Sequence, residues 1–238
     1  MARARDRRGK IWKGLRIAIL GLVLLIGIPV VLVPVYWVVP PVSTLMIART
    51  VTGQPVTRIW RDIDDVSDRL KTSVVLSEDG QFCSHRGIDL AALKAEIENF
   101  LAGEDARGAS TITMQVARNL FLWNGRSVVR KALEVPLAAY IDLVLSKRRI
   151  MEIYLNIAEW GPDGEFGVQA GALAAYGQGA DSFTWQRAAL LTVTLPNPHV
   201  RHAGSPTIGL LNVASIVESR ARRFSSNAGC LFDGPPAL

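Results

Sequence analysis

The 238-residue sequence predicts a mainly α protein with one N-terminal transmembrane helix. Three observations carry that prediction. An uncharged apolar run follows a basic tail. Apolar residues recur at helical spacing through most of the remainder. Strand signals, the period-two alternation of β-branched and aromatic residues between turns, are weak everywhere.

The tail, residues 1–16, holds Arg3, Arg5, Arg7, Arg8, Lys10, Lys13 and Arg16 against Asp6 alone, which accounts for the whole formal net charge of +6. The rest of the chain is neutral. A nucleic-acid-binding domain would carry its excess charge in the folded part, so no nucleic-acid partner is expected. From Ile17 to Ala48 no residue is charged, and about 20 apolar residues suffice to cross a bilayer. Tyr36 and Trp37 lie where an interfacial aromatic belt belongs, with the arginines flanking the other end. That arrangement places the N-terminus in the cytoplasm and the chain beyond about residue 40 on the outer face. The apolar stretch is too long for a signal peptide, and Val38-Val39-Pro40-Pro41-Val42 offers no small-x-small cleavage site, so an uncleaved anchor over 17–39 is expected. Residues 40–65 read as a membrane-proximal linker.

Beyond the anchor, roughly 190 residues are enough for one domain with a sizeable core. The Asp62–Asp65 acidic turn leads into a helix from Val66 to Glu78, since carboxylates favour a helix N-terminus. Asp89–Leu101 follows, with Leu90, Leu93, Ile97 and Leu101 on one stripe and Gly103 past its end. Thr111–Leu122 places Ile112, Val116 and Leu120 together. Ser127–Leu145 is a long apolar helix that Pro136 should kink. Ser146 caps Lys147–Ile157, whose apolar face is Ile150, Ile153, Tyr154 and Ile157. A loop at Gly161–Gly167 precedes an Ala-rich helix over Val168–Tyr176, and Trp185–Thr194 and Thr207–Arg223 are the last two helices.

Cys83 and Cys230 are too few for a disulfide scaffold; an oxidising compartment permits one bridge, and the sequence does not say whether the two meet. No Cys/His cluster has zinc-ligand spacing. Asp62-Ile63-Asp64 resembles a metal-nucleotide D-x-D but precedes a helix as an acidic cap does.

The polar residues are more informative. Glu78, Phe82 and His85 are spaced i, i+4, i+7 and share a face if that segment is helical. Thirty residues on, a Gly108-Ala109-Ser110-Thr111 turn runs into a helix bearing Gln115 and Arg118. Arg118, Arg126, Arg130 and Lys131 are four cations within fourteen residues, with Glu134 one turn beyond Arg130. Each feature alone is commonplace surface chemistry. Together they form a cationic nest that repels itself unless an anion sits in it, and guanidinium groups suit phosphates. With Glu78 as base, the parts suit displacement of a pyrophosphate by a sugar hydroxyl. Such a leaving group needs charge stabilisation rather than a general acid, unlike glycoside hydrolysis with its two carboxylates.

These stretches resemble the glycosyltransferase module of peptidoglycan synthases, found in class A penicillin-binding proteins and in monofunctional biosynthetic peptidoglycan transglycosylases. Five motifs correspond in order over about residues 66–200: Glu78-Asp-x-x-Phe82-x-x-His85-x-Gly87-x-Asp89; Gly108-Ala-Ser110-Thr111-Ile112-Thr113-Met-Gln115; Arg130-Lys131-x-x-Glu134; Lys147-Arg-Arg-Ile-Met-Glu152-Ile-Tyr154-Leu155-Asn156; and Gly167 to Tyr176. The resemblance implies a lysozyme-like, two-lobed glycosyltransferase domain over 66–200, followed by a C-terminal helix and tail over 201–238. It implies polymerisation of lipid II, with inversion, into β-1,4 glycan strands and release of undecaprenyl pyrophosphate. It makes Glu78 the base and Glu134 a second essential carboxylate that orients or acts electrostatically. Arg118, Arg126, Arg130 and Lys131 match pyrophosphate-holding positions. Ser110, Thr111 and Gln115 match groove residues, and Asp79, Phe82 and His85 belong to the same substrate-binding set. No metal ligand set is implied, although a divalent cation could assist the pyrophosphate.

The resemblance further implies a single-pass protein of the bacterial inner membrane with its catalytic domain on the periplasmic face. Lipid II and the lipid-linked glycan are then substrates, and penicillin-binding transpeptidases and divisome or elongation proteins are candidate partners. Two positions depart from the family pattern: Gly177-Gln178 directly follow Tyr176, and Cys83 stands where an aromatic residue is common. No Ser-x-x-Lys or Lys-Thr-Gly occurs, which fits the monofunctional type. Leu120, Phe121, Leu122 and Trp123 are either a membrane-approach surface or buried core. The competing readings are a lysozyme-like lytic enzyme, which does not need the cationic cluster, and an inactive membrane-anchored module, which does not need Glu78 and Glu134.

Overall fold

The computed structural model describes residues 2–103, 110–123, 125 and 127–234. Two compact units are distinguished, residues 1–39 and Pro40–Leu238. The first is a single helix, α1 (Ala2–Val35), with Pro29 and Pro34 inside it. Many of its described apolar side chains, among them Leu20, Val23, Leu24, Ile26 and Val31, are exposed, whereas Val33 is fully buried. Among the described residues no helix is long and apolar enough to cross a membrane. The side chains of Ile17, Ala18, Ile19 and Leu22, all within the expected anchor, lie outside those described.

The second unit is mainly helical. Its elements run α2 (Thr44–Val51), β1 (Thr57–Arg58), a 3-10 turn (Ile63–Asp65), α3 (Asp68–Glu78), α4 (Leu90–Leu101), α5 (Ile112–Phe121), α6 (Val128–Val144), α7 (Lys147–Ile157), β2 (Glu165–Phe166), α8 (Val168–Tyr176), α9 (Trp185–Thr192), α10 (Ile208–Arg223) and a second 3-10 turn (Ser225–Leu231). The helix starts follow side-chain chemistry. The hydroxyls of Ser43, Thr111, Ser127, Ser146, Thr184 and Thr207 each accept a backbone N–H of the first turn, which satisfies a donor that has no intrahelical partner. Pro136 sits inside α6. Gly177 ends α8 with φ 67°, a left-handed turn that a residue without a β-carbon takes readily.

The core lies between α3, α5 and α7. Leu70, Val74 and Val75 of α3, Ile112 and Val116 of α5, and Ile150, Ile153 and Leu155 of α7 are fully buried. α3 packs on α9 and α10, α5 on α6 and α7, and α7 on α8. The only sheet among the described residues is the parallel pair β1–β2, with Thr57 opposite Glu165 and Arg58 opposite Phe166. Two-residue strands leave no alternating pattern to read in the sequence.

Several expectations change. Residues 40–65 supply α2, β1 and a 3-10 turn to the second unit, and the Thr44 hydroxyl donates to the Leu122 carbonyl at 2.7 Å, fastening α2 to the end of α5. Among its described residues the stripe expected on α4 is not buried: Leu90 is 72% and Ile97 51% exposed, and Leu93 is half-covered. The Leu120–Trp123 run divides. Leu120 and Leu122 are core and Trp123 is 49% exposed, as expected where a helix ends and the chain turns outward. Cys83 and Cys230, 147 residues apart, form a disulfide.

Candidate active site

Glu78 is the last residue of α3 and the helix does not continue through His85. Asp79 leaves it with φ −160°, and residues 80–88 are turns. The expected common face of Glu78, Phe82 and His85 therefore does not exist. Gly80 and the Asp79 capping interactions end the helix, and the three side chains take different tasks. Phe82 has no exposed surface; the Lys147 ammonium lies 4.6 Å from its ring centroid. It supports the site from within the core rather than lining a groove.

The Asp79 carboxylate is buried and used twice. It accepts the Ile112 N–H at 2.9 Å and faces His85 Nε2 at 3.0 Å from both oxygens. A carboxylate only accepts here, so Nε2 carries the ring proton. Asp79 thus fixes the start of α5, where exposed N–H groups favour a negative charge. Thr111 is equally occupied: its hydroxyl donates to the Gly87 carbonyl at 2.7 Å and accepts from Met114 N–H at 3.1 Å. Gly87, with φ +78°, is squeezed against α6, since a β-carbon there would come within 2.5 Å of the Ala138 carbonyl oxygen.

One turn into α5, Gln115 reaches Glu78. Its Nε2 donates to Glu78 Oε2 at 3.2 Å, and its Oε1 accepts from the Tyr154 hydroxyl at 3.2 Å. Tyr154 is buried on α7, and that burial, next to Glu78, pushes its hydroxyl well above the ordinary value. Tyr154 is therefore a neutral donor that sets which way the Gln115 amide points. Ser77 donates to Glu78 Oε1 at 3.3 Å.

Burial raises the Glu78 carboxyl above its ordinary value; the Gln115 and Ser77 hydrogen bonds and then the Arg118 and Arg201 charges act in the opposite sense. The negative end of α3 works with burial, because a helix C-terminus disfavours a carboxylate. A carboxyl raised in this way is a better proton acceptor at neutral pH than an ordinary one.

The α6 residues form a second cluster. Arg130 and Glu134, both buried, pair with each other one turn apart. The Arg130 Nε remains buried without a hydrogen-bond partner. Lys131 donates to the Ser110 hydroxyl at 2.6 Å and pairs with Glu96 of α4 at 3.3 Å. The cations expected to repel one another are thus partly compensated within the protein. Glu96 lies 35 positions before Lys131, so spacing could not announce it. Arg126, with Gly108 and Ala109 of the second motif, lies outside the described residues.

Sequence reasoning missed two contributors. Arg201 acts on Glu78 from the segment after α9 and donates to the Val193 carbonyl at 2.9 Å; an isolated arginine in a loop carries no signal. Glu159, after α7, pairs with Arg49 of α2 at 2.5 Å and with His199 at 3.4 Å. Glu159, Gln115, Arg118, Asn119 and Tyr154 line a cavity of about 150 Å³. A cavity of about 380 Å³ behind Trp160 and Gly171 has Arg201 in its lining. Among the described residues no cluster of three or more His, Cys, Asp or Glu could hold a metal ion.

A family model described as Transglycosylase matches residues 45–220. The biosynthetic peptidoglycan transglycosylase of Rhodopseudomonas palustris (strain HaA2) is 54% identical over 209 residues, covering 87% of this chain and 92% of that protein. The protein of the same description from Nitrobacter winogradskyi is 52% identical over 210 residues, 88% and 93% of the two chains. That from Agrobacterium fabrum is 49% identical over 217 residues, 90% and 96%.

Proposed function

Since the chain belongs to the transglycosylase family and is a peptidoglycan glycosyltransferase of cell wall synthesis, we propose that it transfers a lipid-linked glycan to the 4-hydroxyl of lipid II. The acceptor oxygen attacks the donor's anomeric carbon and the bond from that carbon to the pyrophosphate oxygen breaks. The hydroxyl proton passes to Glu78, and undecaprenyl pyrophosphate leaves. Attack opposite the leaving group inverts the centre and gives a β-1,4 link. The observation that carries this reading is the environment of Glu78: a buried carboxyl of raised pKa, oriented by Gln115 and Tyr154, with Arg118 and Arg201 around it.

Arg118, Arg130, Lys131 and, outside the described residues, Arg126 stabilise the departing pyrophosphate. The unpartnered Nε of Arg130 is a donor that a phosphate oxygen satisfies. Glu134 holds the Arg130 guanidinium in place. Asp79, Phe82 and Thr111 act through position, their polar atoms or surfaces being committed to the fold, and His85 gives its Nε2 to Asp79 while its buried Nδ1 has no hydrogen-bond partner. Ser110 directs Lys131. In this reading 66–200 is a lysozyme-like, two-lobed catalytic domain, 17–39 is the anchor, and the catalytic domain works on the periplasmic face of the inner membrane. The Cys83–Cys230 disulfide fits that oxidising side.

The test is full-length protein in detergent with labelled lipid II, beside Glu78→Gln. Wild type is expected to give polymer, and the variant to lose about 10²–10⁴-fold in rate while keeping its circular dichroism. Near-normal polymerisation by Glu78→Gln removes Glu78 as the base. Clearing of purified cell walls without polymer formation would replace a synthetic activity by a lytic one.

A further inference from the structure

The family match ends at residue 220, yet the chain that follows returns to the site. The 3-10 turn Ser225–Leu231 is seated firmly: Ala228 and Leu231 are fully buried. Arg148 of α7 donates to the Leu231 carbonyl at 2.7 Å and pairs with Asp64 at 2.6 Å. The Lys71 ammonium of α3 lies 5.2 Å from the Phe232 ring centroid. From this seat the segment grips the loop that follows Glu78 at two points. Cys230 is bonded to Cys83, and the Asn227 side-chain amide donates to the Gly80 carbonyl at 3.0 Å. The two grips flank Phe82, which has no exposed surface.

We infer that residues 225–231 form a covalently closed clasp that positions the catalytic base, with Cys83, Cys230 and Asn227 as positioning residues. This rests on the proposed role of Glu78. The route is continuous on the structure. Gripping Gly80 and Cys83 fixes the loop. The loop fixes Asp79 and His85, which hold each other. Asp79 holds the first N–H of α5, and α5 carries Gln115 to Glu78. Opening the disulfide frees the loop's outer end and lets water approach the carboxyl that burial now raises.

The experiment uses the full chain in detergent, oxidised and after a dithiol reductant, whose two thiols become a disulfide as Cys83 and Cys230 become thiols. Asn227→Ala with the disulfide intact is a third sample. Alkylation and intact mass establish the redox state, and no free thiol is expected before reduction. On reduction, kcat for lipid II polymerisation is expected to fall roughly ten- to a hundredfold, as a small misplacement of a catalytic group does, with little change in KM. The acidic limb of the rate profile is expected to move down, toward the ordinary carboxylate range. Amide hydrogen exchange at 79–85 and Ile112 should accelerate while circular dichroism is unchanged, and reoxidation with glutathione disulfide should reverse all of this.

Asn227→Ala should shift the same readouts by less, and it carries the test alone if reduction unfolds the chain. Unchanged kcat, pH limb and exchange, even with a lower melting temperature, would reduce the clasp to a stabilising strap and overturn the inference. Absence of polymer from the oxidised wild type would sink the proposed reaction instead, while the exchange data still decide whether the clasp holds the loop.

Discussion

Adjacent carboxylates at 78 and 79 have opposite surroundings, and the difference assigns their work. Asp79 spends both oxygens on Ile112 and His85, whereas Glu78 keeps weaker partners and a carboxyl raised by burial. A base works ionised, so with Glu78 in the proposed role activity is expected to fall as pH drops through that raised value, giving an acidic limb above the ordinary carboxylate range. Gln115→Met keeps the bulk but removes a hydrogen bond that favours the ionised form; the limb in kcat/KM should therefore move further up. A limb that stays in place would show that Gln115 does not tune the base. At this scale the sequence was informative about identity and poor about posture. Glu78, Gln115 and Arg118 were singled out by residue type and order. The helix break after Glu78 was not, because Asp-Gly-Gln is read as a turn only once the competing i, i+4, i+7 pattern is set aside. Arg201 had no local signal at all.

Helices were the most legible level. Apolar spacing, with the Ser146 cap for α7, located α5 through α10 closely, since both are local properties of the chain. α2 was lost in the uncharged run that begins at Ile17, and α4 was found but its exposed face was misjudged, since burial depends on neighbours from elsewhere. α6 offers the clearest energetic test. Its Arg130–Glu134 pair is buried, so Glu134→Leu leaves a guanidinium without compensation and should cost about 3–5 kcal/mol. Combining it with Arg130→Met removes both charges and should recover most of that loss in denaturant melts. With Arg130 in its proposed role, the double variant should be inactive on lipid II even where stability is recovered. If the double variant is as unstable as the single one, volume rather than charge dominates at this position.

Across the whole molecule, what the sequence could not announce is what joins distant parts: Thr44 to Leu122, Lys131 to Glu96, and Cys83 to Cys230. Each is a contact between elements whose separation carries no pattern. The last closes a loop of 147 positions, and in the chain-entropy picture such a cross-link stabilises by about 3–5 kcal/mol. Reduction should lower the chemical-denaturation midpoint accordingly, and a midpoint unchanged within error would mean that the clasp's non-covalent seat holds it closed. The same separation has a temporal side. Synthesis delivers Cys83 long before Cys230, so for that interval the nascent chain has Glu78 and most of its body but not its fastener. A chain stopped short of residue 230 would thus carry the whole family-matched region, residues 45–220, and still lack the bond that closes the loop after Glu78.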